Sequence, residues 1–118
     1  MITNEMQIRE LITEEQQRGT RLYGHNHSRH EGYAVAKEEF EEFENEYDSL
    51  VLSMAEIWKQ IKLNTSSNNM RKLLKSAKDR ACLMIAEGIQ FAAMLEKMEV
   101  CEQRIEELEK EVATAKEG

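Results

Sequence analysis

The chain has 118 residues, and its 16 Lys and Arg against 23 Asp and Glu leave a net charge of −7. That excess repels phosphate backbones and anionic lipid, which argues against general nucleic-acid binding and against a membrane surface. The length suits a single domain, and the absence of proline, only five glycines and 41% hydrophobic residues point to long helices in an all-α fold. No run of about 18 apolar residues occurs, and the opening MITNEMQIRE lacks a basic-then-apolar signal pattern, so the cytoplasm is the expected location.

Three helices are predicted. The first covers about Asn4 to Arg21, with Asn4 as its cap and a narrow apolar stripe of Ile8, Leu11 and Ile12. Gly19, Gly24 and the polar HNHS run interrupt it, and Ser28 with Glu31 three residues on is a capping-box signature for the second helix. From Tyr33 that helix carries a three-four seam: Tyr33, Ala36, Phe40, Phe43, Tyr47, Leu50, Met54, Ile57 and Ile61. The run NTSSNN at 64–69 is a hairpin loop of turn-forming residues.

The third helix runs from about Met70 towards Ala113, with a seam of Phe91, Met94, Met98, Cys101, Ile105, Leu108 and Val112. Residues 99–118 are charged on every side of it, which suits a coiled-coil partner or a projecting end. Cys82 and Cys101 share this helix about 28 Å apart at 1.5 Å per residue, which excludes a disulfide between them. Two helices cannot cover both seams, so the antiparallel hairpin and its added N-terminal helix are expected to complete four-helix-bundle cores by self-association.

In ACLMIAEGIQFAAML, residues 81–95, every position but Glu87 and Gln90 is apolar or glycine, so this stretch is expected to be buried all round. A buried Glu87 needs a cation, a hydrogen-bond network or a raised pKa, and Gln90 projects from the same side of the helix. On the second helix Glu38, Glu39 and Glu42 fall within about one turn, and Glu39, Glu42 and Glu46 form a row of like charges. Folding back about the 64–69 loop sets Glu42 level with Phe91 and Glu46 level with Glu87. Several carboxylates and an amide oxygen inside a helical bundle suit a hard cation, Mg²⁺ or Mn²⁺, and such ions serve phosphoryl or nucleotidyl transfer.

The EExxE of Glu38, Glu39 and Glu42, the Glu87-x-x-Gln90 pair in EGIQFAAM and the HEGYAVAKEEFEE stretch from His30 resemble the MazG-like all-α nucleoside triphosphate pyrophosphohydrolases. The resemblance spans roughly residues 28 to 98. It implies hydrolysis of an NTP or dNTP, taken as its metal complex, to the monophosphate and pyrophosphate in a dimer or dimer of dimers. It further implies Glu39, Glu42 and Glu87 as metal ligands, Gln90 as an assisting one, and Glu38 as an extra ligand or the base that orients water. His30 and Tyr33 would line the substrate pocket. Gln90 stands where the family has an aspartate, and an amide can lend an oxygen but cannot act as a base.

Blander readings stand beside these. The 38–48 run is also what a solvated helix face looks like, Glu87 can pair with a Lys or Arg, and Tyr33 suits the core. His25, His27 and His30 have metal-ligand spacing but fall in or beside a loop. The basic run RKLLKSAKDR, 71–80, is either an interface with an acidic surface of a neighbouring subunit or a phosphate-binding wall at a dimer site; Lys75 lies about 18 Å along the helix from Glu87, which argues against a phosphate wall within one subunit. The rival function is a non-enzymatic assembly or adaptor protein acting through its acidic helix and C-terminal coiled coil.

Overall fold

A computed structural model describes residues 2–117, and these form three helices: α1, Ile2–Tyr23; α2, Arg29–Lys62; and α3, Ser67–Glu117. The fold is all-α, with no strand among the described residues. Each boundary has a local cause. α1 ends at Gly24, whose φ of 78° suits a residue without Cβ and whose N–H bonds the Thr20 carbonyl at 2.8 Å. At the start of α2 the Ser28 hydroxyl accepts from the Glu31 N–H at 3.1 Å, and the Glu31 carboxylate accepts from the His27 N–H at 3.3 Å, the reciprocal cap that the sequence anticipates.

α2 closes on Asn64 in the left-handed region, φ 54°, with Thr65 N–H bonding the Gln60 carbonyl and Asn64 N–H the Ile61 carbonyl. The Ser66 hydroxyl then accepts from Asn69 N–H at 3.1 Å, so Ser67–Asn69 make the first turn of α3 rather than the loop expected there. α1 likewise starts ahead of Asn4, which lies inside the helix, and α3 runs on past Ala113.

The chain divides into two compact units. One, Glu38–Gly88, is an antiparallel hairpin of the later part of α2 and the first part of α3. Its buried apolar residues are Ile57 and Ala77, with Phe43 and Leu50 half-buried two heptads and one heptad before Ile57. The other members of that seam, Phe40, Tyr47, Met54 and Ile61, are exposed. The seam therefore splits into an inward column and an outward one, because a single antiparallel neighbour covers only part of a helix's apolar face.

The same limit corrects the expectation for residues 81–95. Leu83 and Ile85 in the hairpin, and Leu95 beyond it, are exposed. The second unit, Met1–Lys37 with Ile89–Gly118, packs α1 with the start of α2 and the end of α3. Ala36 and Ala93 are its most buried apolar residues, Thr13 donates to Glu96 Oε1 at 3.0 Å, and Arg29 grips both oxygens of Glu102 at 2.5 and 2.8 Å. A Cβ on Gly32 would sit 2.9 Å from Met98 Cγ, so the glycine of HEGY allows this close approach. Tyr33, expected in the core, is 62% exposed, since the helix buries Gly32 and Ala36 instead. No helix is long and apolar enough to cross a membrane among the described residues.

Candidate metal centre

The hairpin brings three of the anticipated carboxylates together. One oxygen each of Glu39, Glu42 and Glu87 lies within 4.8 Å of the others. Ligands of an octahedral Mg²⁺ are about 3.0 Å apart when adjacent and about 4.2 Å when opposite, so the three carboxylates would have to draw closer together to hold such an ion. Glu39 and Glu42 are three apart on α2 and share a face, and α3 presents Glu87 from the other side of the hairpin. The approach is close because position 88 is glycine: a Cβ there would stand 3.3 Å from the Phe43 ring.

The electrostatics are those of a site short of positive charge. Burial pushes the Glu39 carboxyl above its ordinary pKa, and Glu42, Glu87 and Glu38 add repulsion in the same direction. Burial likewise raises Glu87, with Glu42 against it and Glu46 behind. Glu39 Oε2 and Glu87 Oε2 are buried without a hydrogen-bond partner. Two desolvated, unsatisfied carboxylate oxygens facing a third carboxylate make a donor set that fits a hard divalent cation.

Glu87 meets Glu39 and Glu42, about one turn earlier on α2 than the level of Glu46 that the loop position implies. The reason is the turn: with α3 starting at Ser67, the fold-back is centred nearer Asn64. Glu38 is exposed next to the trio. Gln90 is exposed on α3 within the other compact unit, as are His30 and Tyr33 on α2.

A feature that sequence reasoning placed only loosely adjoins these residues within the hairpin. A cleft of about 550 Å³ is lined by Glu46, Ser49, Lys72, Lys75, Asp79 and Arg80, with Leu83 at its end one turn before Glu87. The basic run thus faces α2 across a groove, and Lys75 also pairs with Asp79 at 3.6 Å. Among the histidines, His27 pairs with Glu31 at 3.1 Å, and the described residues show no other cluster of three metal-ligating side chains. Cys82 and Cys101 are both free thiols. Compared with known proteins, the chain matches no family model, no curated protein and no solved structure.

Proposed function

We propose that the chain is a Mg²⁺- or Mn²⁺-dependent nucleoside triphosphate pyrophosphohydrolase of the MazG-like kind, converting an NTP or dNTP to the monophosphate and pyrophosphate. The observation that carries the reading is the convergence of Glu39, Glu42 and Glu87 from two helices with two of their oxygens buried and unsatisfied. These three would hold the cation, which when bound neutralises phosphate charge and polarises the bond that breaks. Glu38, exposed beside them, has the freedom to orient a water molecule and take its proton. Arg80, about 10 Å along α3 from Glu87 at the near end of the adjoining cleft, offers a cation to phosphate oxygens, which a chain of net charge −7 needs in order to bind an anionic substrate. The outward column of Tyr47, Met54 and Ile61 is the face on which a second hairpin completes a four-helix core.

The test is pyrophosphate release from a panel of nucleoside triphosphates with Mg²⁺. Glu42→Gln and Glu87→Gln each lower turnover by roughly 10²-fold or more while helicity is retained. Wild-type release that neither substitution reduces overturns the assignment. The adaptor reading has its own support in the exposed apolar stripe of Ile105, Leu108 and Val112. Truncation after Cys101 separates the two, since a nucleotidase keeps its turnover and an adaptor loses its binding element.

A further inference from the structure

Past Glu102, which Arg29 holds, α3 continues to Glu117 with every residue from 103 to 117 exposed. A helix end of this kind would be polar all round if water were its only neighbour. Instead Ile105, Leu108 and Val112 remain 39%, 58% and 54% exposed in one stripe. Their spacing continues the seam through Met98 and Cys101, and in heptad terms Ile105 and Val112 take a while Leu108 and Ala115 take d. β-Branched residues at a with leucine at d favour two parallel strands.

The flanking charges choose the occupant. Glu106 and Lys110 pair with each other at 3.2 Å on the far side of the helix. Arg104 and Glu111 stand at g, and Glu109 and Lys116 at e. In a parallel pair each g residue meets the e residue five places on in the other chain, so Arg104 faces Glu109 and Glu111 faces Lys116, opposite in sign both times. An antiparallel pair with Ile105 to Ala115 fully overlapped sets Glu109 against Glu109 and Glu111 against Glu111. The segment is thus complementary to itself in one orientation and repulsive in the other.

We propose that residues 104–117 dock onto the same segment of a second copy as a parallel two-stranded coiled coil. The proposal rests on this segment alone and is independent of the acidic trio. A two-fold axis along the seam makes the contact isologous and joins two chains tail to tail.

Cross-linking of Ala115→Cys in a Cys82→Ser, Cys101→Ala background tests it. Parallel pairing sets the two introduced thiols side by side, whereas the antiparallel overlap separates them by about 15 Å along the axis. The expected result is rapid disulfide formation that falls by roughly tenfold or more when Glu109→Lys and Lys116→Glu are added, because both contacts then become repulsive. Mixing that variant with one carrying Arg104→Glu and Glu111→Lys restores the cross-link. Circular dichroism confirms that each variant keeps its helices, and Ala115→Cys with both native cysteines present, its links mapped by mass spectrometry, repeats the readout without core substitutions. Absence of the 115–115 link in folded protein, or a link that survives the charge reversal undiminished, overturns the proposal.

Discussion

Acidic residues meet opposite fates in the two compact units. Where α2 begins, Glu31 caps the helix and pairs with His27, and Glu102 accepts two bonds from Arg29, which hold its carboxyl below the ordinary range. In the hairpin, Glu39 and Glu87 are partly desolvated beside Glu42, and both are pushed up. The cations on the same helix do not neutralise the trio: Lys72, Lys75 and Arg80 line the cleft about 22, 18 and 10 Å along α3 from Glu87. Glu31 and Glu102 each have a basic partner in the chain, while Glu96 Oε2 in the same unit, like Glu39 Oε2 and Glu87 Oε2 in the hairpin, is buried without a hydrogen-bond partner. Such a concentration of like charge as the trio's is unfavourable on its own and would be relieved by a bound divalent ion.

The largest expected effect is therefore metal-dependent. With Mg²⁺ and a non-hydrolysable nucleoside triphosphate each present in excess, thermal melts should show stabilisation of about 2.7 kcal/mol at one hundred times the dissociation constant. Glu102→Gln leaves that shift intact, while Glu42→Gln removes it. Equal shifts in both variants would erase the distinction between the two regions.

A smaller effect follows from protonation. Glu39 and Glu87 bind their protons more tightly in the folded chain than at their ordinary value of 4.5. The stability contributed by this source is present in full below that value and is lost as pH rises through the raised pKa values. Metal-free protein should accordingly melt at a higher temperature at mildly acidic pH than at neutral pH. A Glu39→Gln, Glu87→Gln double variant should flatten that dependence, and a dependence unchanged in the variant would show that the trio is not its source. Saturating Mg²⁺ should flatten it as well, because the ion replaces the proton.

Much of this arrangement was legible in the residue pattern. The three-four steps along α2 and α3, together with turn formers between them, specify a helical hairpin, and Ser28 with Glu31 places the start of α2 to the residue. Glu87 attracts notice as a carboxylate inside an apolar stretch, and Glu39 and Glu42 as neighbours on one face. The vertical register was harder to read, because serine and asparagine serve equally as loop and as cap. Ser66 begins the helix early and moves Glu87 opposite Glu42 rather than Glu46.

Which seam positions face inward was not legible at all. Heptad spacing marks Phe43 and Tyr47 alike, and only the placement of the neighbouring helix leaves Phe43 half-buried and Tyr47 exposed. The cleft was missed as a unit for a related reason. Its cations are contiguous in sequence, but Glu46 and Ser49 join them only once the hairpin closes.

The central claim is that Glu39, Glu42 and Glu87 together hold one divalent cation. Titrating the metal-free protein with Mn²⁺, and following the free ion by electron paramagnetic resonance, counts bound ions directly. The account predicts one ion per chain in the wild type, displaced by excess Mg²⁺, with binding lost in Glu87→Gln. Wild-type protein that leaves the Mn²⁺ signal at its buffer value, or a Glu87→Gln variant that binds as the wild type does, would contradict it.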